Sequence, residues 1–161
     1  MNNNNILPTD YQTFIYKSRY AKWMADLGRR ESYSETVDRY ITNVVSPVVN
    51  PKTAELIRES ILNLEVMPSM RALMTAGKAM DRDNTCAYNC SYLPVDHPRS
   101  FDEAMFILLC GTGVGFSVER SEISKLPPVP ESLVEGSKVI KVGDSKEGWS
   151  TAYRKLIKQL F

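Results

Sequence analysis

Histidine is almost missing from this sequence, with one residue, His97, among 161. Only three cysteines accompany it, and His97 itself sits in a DHPR turn, so no Cys/His constellation is available to hold zinc. Long apolar runs are also missing. No stretch approaches the roughly 18 to 20 apolar residues of a membrane helix, and the start of the chain lacks the basic and apolar sections of a signal peptide. The expected compartment is the cytoplasm, where thiols stay reduced until chemistry oxidises them. An excess of one charge is lacking too: the net charge is +1 and the pI is about 7.7. Without a broad basic field, binding to long nucleic acid through many phosphate contacts is not indicated, and the ligand should be small. Internal repeats are absent. The remaining composition, 43% hydrophobic, is enough for a domain-sized core.

Three scaffold helices are expected first. The asparagine run Asn2 to Asn5 reads as a frayed end within a disordered segment 1–10. Asp10 can cap a helix over 11–27, packed through Phe14, Tyr20 and Trp23 and stopped at Gly28. Ser32 with Glu35 three residues on forms a capping box for a second, with Val37, Tyr40, Ile41, Val44 and Val45 at helical spacing. Asn50 followed by Pro51 opens a third, with Leu56, Ile57, Ile61 and Leu64 on its buried face. Segment 11–80 is thus a helical region.

The pattern changes in 81–161. Asp81 to Asn84 reads as a charged turn, and the apolar, aromatic stretch from Cys86 to Val95 as a strand. Ser100 and Glu103 form another capping box, for a helix with Phe101, Ala104, Met105, Leu108 and Leu109 on one apolar face, ending at Gly111. Val114 to Val118 is the next strand. Pro127, Pro128 and Pro130 force an extended connector, Lys138 to Val142 alternates like a short strand, and Asp144 or Ser145 caps a last helix. On that helix Trp149, Ala152, Tyr153, Leu156, Ile157 and Leu160 keep helical spacing to Phe161 with no capping glycine. Its apolar stripe is expected to be covered by another polypeptide or by further sequence.

Chemistry concentrates between Asn84 and Val118. A cysteine pair is followed by a capped helix that empties into a glycine-rich turn, which suits thiol chemistry on a ligand that approaches close to main chain. On a strand, Cys86 and Cys90 would lie about 13 Å apart at ~3.3 Å per residue. A disulfide tolerates at most ~7 Å, so these two cannot bridge each other on that reading. A cysteine of this kind is ordinarily a small buried hydrophobe, and Cys86 and Cys110 are read that way. GTGVG at Gly111 to Gly115 lacks GxGxxG spacing, runs from helix to strand, and has no P-loop ending. It is either a helix stop with a tight turn or a loop lining a ligand pocket. The mixed charges at Arg29 to Glu31 and Asp81 to Asp83 read as solvated turns, and Met67, Met70, Met74 and Met80 as core filling.

The run from MPSMRALMTAG at Met67, through YNCSYLPVDHPR and CGTGVGFSVER, to DSKEGW at Asp144 to Trp149 resembles the adenosylcobalamin-dependent (class II) ribonucleotide reductases. The monomeric triphosphate-reducing branch is the nearest match. KSRYAKW and GRRESYSETVDRY extend the similarity back to about Tyr16. Members of that family are several times longer, so the resemblance implies an N-terminal portion. The implied fold is α/β: a helical N-terminal layer followed by the first strands and helices of a reductase-type α/β barrel, incomplete in this portion.

Function follows from the same resemblance. The family converts ribonucleoside triphosphates to deoxyribonucleotides for DNA synthesis. The cofactor, adenosylcobalamin, would generate a thiyl radical that abstracts the ribose 3′ hydrogen, and two cysteines would then reduce the 2′ position. Cys90 aligns with one of those two cysteines, while its partner, the radical-bearing cysteine and the cofactor-binding residues lie outside this portion. Ser69 looks like the family's contact to the bound nucleotide, with helix capping as its competing explanation. Asn89, Gly111, Gly113 and Gly115 are further substrate-binding candidates, and Asp96, Arg99 and Ser100 are candidates for a dNTP effector site. The implied partners are the substrate, the effector, a thioredoxin-like or dithiol reductant, and a complementary C-terminal section without which no turnover is expected. The DSKEGW motif weighs against the large subunit of an oxygen-dependent reductase. A non-catalytic nucleotide-binding or docking piece is the alternative from another class.

Overall fold

The computed structural model describes residues 7–161. The Asn2 to Asn5 run lies outside them. The chain divides into two compact units, one extending to Ala87 and the other Tyr88–Phe161.

The first unit is helical. Helix α1 (Asp10–Arg19) starts one residue earlier than its sequence suggests, because Thr9 rather than Asp10 is the cap. Thr9 and Gln12 satisfy each other's exposed amides in a capping box. The helix then ends at Arg19, and the segment expected to continue it is a small hairpin. Strand β1 (Trp23–Met24) pairs antiparallel with β2 (Arg29–Arg30) around a 3₁₀ turn at Ala25–Leu27. Gly28 closes that turn at φ 59°, a left-handed conformation that glycine adopts without strain. Helical aromatic spacing loses here to an ion: the buried Glu31 carboxylate accepts from the Lys22 amide at 3.0 Å, which takes the chain out of the helix.

Helix α2 (Tyr33–Tyr40) begins at the expected Ser32–Glu35 capping box and runs into a π turn at Ile41–Val45. Helix α3 (Pro51–Leu62) opens as expected, with the Asn50 side chain accepting from the Thr53 amide and proline in its first turn. Its buried face differs from expectation: Ala54 and Ile61 are buried, whereas Leu56 is 63% exposed and Leu64 lies beyond the helix. The core joins Tyr16, Ala21, Tyr33, Val37, Ile41, Val45, Ala54 and Ile61. Tyr33 stands edge-on to Tyr16 with ring centroids 5.5 Å apart and donates its hydroxyl to the Ile61 carbonyl. Helix α4 (Met70–Thr75), α5 (Lys78–Arg82) and a 3₁₀ turn at Asn84–Ala87 complete the unit. That 3₁₀ turn corrects the strand reading at its start, since Cys86 sits on the turn and not on a strand.

The second unit is built on a βαβ crossover. Strand β3 (Cys90–Pro94) pairs in parallel with β4 (Gly113–Ser117), in the register Cys90 to Gly113 and Tyr92 to Gly115, with α6 (Arg99–Leu109) between them. A parallel pair requires such a crossover, and a helix supplies it. A short helix α7 (Arg120–Ile123) follows, then an extended connector, and α8 (Lys146–Leu160) capped by Ser145 as expected. Two expectations fail. Lys138 to Val142 forms no strand, and Val139 is 85% exposed. Ser100 and Glu103 make no capping box: Pro98 occupies the cap position, and Glu103 instead pairs with Arg99 at 3.0 Å. The packed faces are also more polar than helical spacing suggests. Ser100, Asp102, Thr112 and Ser150 are buried with Ala152 and Ile157, while Leu108, Leu109, Trp149 and Leu156 are exposed. With helices and small sheets, the architecture is a partial α/β fold.

Candidate active site

Strand alternation sets the geometry around Cys90. In β3 and β4 every second residue shares a face, so Cys90 and Tyr92 lie on the same side of the sheet as their register partners Gly113 and Gly115. All four are exposed; on the opposite side Ser91, Leu93 and Val114 are partly buried and Phe116 is 63% exposed. Beside the Cys90 thiol the neighbouring strand therefore presents bare backbone. The glycines are not required by the protein's own packing. A Cβ at Gly113 would meet the Asn89 carbonyl at 3.5 Å and Cys90 Cβ at 3.9 Å, and one at Gly115 would meet the Ser91 carbonyl at 3.7 Å, all ordinary contacts.

The turn leading into β4 has its own fixings. Gly111 has φ 83°, where an L side chain is strained, so this glycine serves the turn itself. Thr112 is buried, and its hydroxyl donates to the Tyr88 carbonyl at 3.0 Å. The Gly113 amide donates to the Asn89 carbonyl at 2.9 Å. Together these bonds hold the glycine turn against the two residues that precede Cys90. Thr112 was not singled out from the sequence. Its signal was a lone hydroxyl between two glycines, which a satisfied buried side chain explains. Asn89 itself is exposed, and its backbone carbonyl makes the bond to Gly113.

All three cysteines are free thiols. Cys90 is exposed, and Cys86 and Cys110 are partly buried. Because Cys86 lies on the 3₁₀ turn, the strand spacing that argued against a bridge to Cys90 loses its premise. Cys110 follows α6, and its sulfur accepts from Lys146 Nζ at 3.1 Å, while the same ammonium lies 4.9 Å above the Phe106 ring.

The other candidates divide between the units. Ser69 lies in the first unit, where it caps α4 and accepts from the Ala72 amide at 3.1 Å. The far end of that helix is held by ionic side chains: Arg39 donates to the Leu73 and Ala76 carbonyls at 2.8 and 2.9 Å, and Lys22 Nζ donates to the Ala76 carbonyl at 2.7 Å. Burial, with Arg39 next in weight, holds the Lys22 ammonium below its usual range. Arg39 is in turn anchored to Glu31 through bonds of 2.7 and 2.8 Å. Asp96, Arg99 and Ser100 gather at the turn into α6. The Arg99 amide donates to His97 Nδ1 at 3.1 Å, the Ser100 hydroxyl reaches Asp96 Oδ1 at 3.5 Å, and the Arg99 guanidinium is paired with Glu103. His97 is thus a capping acceptor, and among the described residues no group of three or more His, Cys, Asp or Glu side chains could hold a metal ion. No helix of the described residues is long and apolar enough to cross a membrane.

No family model matches the chain. Among curated proteins it is similar to the adenosylcobalamin-dependent ribonucleoside-triphosphate reductase of Lacticaseibacillus paracasei, 31% identical over a 157-residue alignment that takes in 73% of this chain and 20% of that one. Reductases of the same name from Lactobacillus delbrueckii subsp. bulgaricus and Lactobacillus leichmannii are each 28% identical over 148 residues, taking in 71% of this chain and 20% of theirs. Among solved structures it is similar to a B-12 dependent (class II) ribonucleotide reductase, with a TM-score of 0.75 and 23% identity over 92% of this chain and 30% of that one. That likeness shows the fold. The chain spans about a fifth of the length of the curated relatives it matches.

Proposed function

We propose that this chain is an N-terminal portion of an adenosylcobalamin-dependent ribonucleoside-triphosphate reductase, and that Cys90 is one of the two cysteines that reduce its substrate. The observation that carries the reading is the exposed Cys90 thiol at the start of β3, beside the side-chain-free backbone of Gly113 and Gly115. This arrangement suits a ribose: a thiol on one strand, and next to it a shelf low enough for a sugar to lie within contact of the sulfur. The parallel β3–α6–β4 unit then supplies the opening strands of the reductase barrel.

The reaction on this shelf balances as a two-electron reduction. The ribose 2′ C–O bond breaks and its oxygen leaves as water, a C–H bond forms at the same carbon, and two thiols become one disulfide. Cys90 supplies one of the two sulfurs, and the second comes from sequence outside this chain. Adenosylcobalamin, when bound to the whole reductase, supplies the radical that starts the reaction. No residue of this chain is assigned to hold it. The glycine turn carries the nucleotide beside Cys90, and Ser69, whose oxygen also caps α4, offers a hydroxyl to it. Asp96, Arg99 and Ser100 form the effector-side turn. A thioredoxin-like or small dithiol reductant restores the thiols after turnover, in a cytoplasmic setting.

The test adds deoxyadenosylcobalamin, a ribonucleoside triphosphate and a dithiol to this chain, with and without the complementary section of a relative. Deoxynucleotide formation that requires both the cobalamin and the second section supports the reading. Nucleotide binding without restored turnover assigns the chain to a non-catalytic binding module instead.

A further inference from the structure

Cys110 is only partly buried, and its sulfur stands 3.1 Å from the amine of Lys146. Neither Cys86 nor Cys90 has an amine in hydrogen-bond contact among the described residues. Packing alone calls for no such neighbour, since a thiol sulfur is only a weak acceptor.

The contact joins two helices at fixed points. Cys110 caps the end of α6, its amide donating to the Phe106 and Ile107 carbonyls, and Lys146 is the first residue of α8, 36 positions later. The two helices run in opposite directions and are pinned along their length. Phe101 faces Phe161 with ring centroids 6.4 Å apart, the Arg154 guanidinium binds the buried Asp102 carboxylate at 2.7 Å, and the Ser150 hydroxyl donates to the Asp102 carbonyl at 3.3 Å. At the Cys110 end the Lys146 amine also sits 4.9 Å from the centre of the Phe106 ring. Nitrogen and sulfur are thus held within the separation of about 3 to 3.5 Å from which reacting atoms go on to bond.

We propose that Cys110 and Lys146 form a modification site, at which hydrogen peroxide drives a reversible bond between the cysteine sulfur and the lysine nitrogen. The Cys110 sulfur first attacks one peroxide oxygen. An S–O bond forms, the O–O bond breaks, and the second oxygen leaves as water with the thiol proton. The neutral Lys146 amine then attacks the sulfenic sulfur, forming the S–N bond and expelling the oxygen as a second water with an amine proton. One thiol, one amine and one peroxide give one sulfenamide and two waters, sulfur losing two electrons and the peroxide gaining them. A dithiol reverses the step by becoming a disulfide. The bond fastens the start of α8 to the end of α6 and keeps the sulfur short of the sulfinic and sulfonic acids, which dithiols do not restore. The site does not rest on the reductase reading.

Peroxide treatment of the 161-residue chain, alkylation of the remaining thiols and peptide mapping by mass spectrometry test it. The expected product is a linked pair of peptides carrying Cys110 and Lys146, lighter than their sum by two hydrogens and released by dithiothreitol. Lys146→Arg keeps a cation beside the Phe106 ring but has no amine able to attack. It should abolish the link and raise sulfinic acid at Cys110 about tenfold, with the circular dichroism spectrum unchanged. Unfolding the chain in urea before oxidation should cut the yield of the link about tenfold, because the helices no longer hold the two atoms together. Lys146 left unmodified by peroxide, whatever the fate of Cys110, overturns the proposal. So does a yield that is the same in the unfolded chain.

Discussion

Replacing Glu31 by alanine removes the acceptor for four hydrogen bonds at once: the Lys22 amide at 3.0 Å, the Thr36 hydroxyl at 2.8 Å, and Arg39 Nε and a terminal nitrogen at 2.7 and 2.8 Å. The pair is well shielded, with side-chain exposures of 8% for Glu31 and 14% for Arg39. Breaking a buried pair by removing one partner costs about 3–5 kcal/mol, chiefly because the other charge is left uncompensated. Arg39 retains the Leu73 and Ala76 carbonyls, so the low end applies, about 3 kcal/mol. With a urea slope of about 2 kcal/mol per molar, the midpoint should fall by about 1.5 M. Arg39→Ala and the double variant complete a cycle, and the two single losses should exceed the double by about 2 kcal/mol. Urea unfolding followed by circular dichroism reads both. A midpoint shift below about 0.3 M, or strict additivity in the cycle, would refute the claim that this pair locks the hairpin and the end of α4.

Acid should weaken the same unit. Burial pushes the Glu31 carboxyl up, but the Arg39, Lys22 and Thr36 bonds outweigh it and hold the group below its ordinary value. Glu35 is held down to about 2, first by Arg29 and then by the Ser32 amide. Depressed carboxylates contribute stability that is fully present above their ordinary range and is lost as pH falls through the folded values. The urea midpoint should therefore be flat from about pH 7 to 5 and drop between about pH 4 and 2, and Glu35→Gln should shallow that drop. Gly148→Ala should lower the thermal midpoint by several degrees, because a Cβ there meets the Gly143 backbone, which cannot step aside. Gly136→Ala, with open space around it, should leave the midpoint unchanged. In a reductase carrying this segment, Gly113→Ala should leave the thermal midpoint in place and raise KM for the nucleotide at least tenfold. A KM that stays put would show that the shelf does not carry substrate.

Legibility in the sequence followed the range of the interactions involved. The Ser32–Glu35 box, the Asn50–Pro51 start and the Ser145 cap each depend on residues within one helical turn, and each forms as read. The Trp23–Arg30 hairpin was hidden because its cause, the Glu31 ion pair network, includes Arg39 on a later helix. Leu56 and Leu108 were misassigned for a related reason. Helical spacing shows that an apolar stripe exists, but the neighbour it packs on is set elsewhere in the chain. The Ser100 box failed in competition, since Glu103 found Arg99. At the candidate site two strands and a helix stop at Gly111 were legible from strand and turn chemistry, although the first strand begins at Cys90 rather than Cys86. The register that sets Cys90 against Gly113, and the Thr112 bond that fixes the turn, were not, because a register joins residues more than twenty positions apart.

The most direct measurement is a single turnover, without added reductant, in a reductase of full family length that carries this segment. Thiols are alkylated before and after, and the peptides are mapped by mass spectrometry. The account predicts one deoxynucleotide per enzyme, loss of the Cys90 thiol into a disulfide with a cysteine outside this chain, and no product from Cys90→Ser. A Cys90 that remains fully alkylatable after product has formed would contradict it.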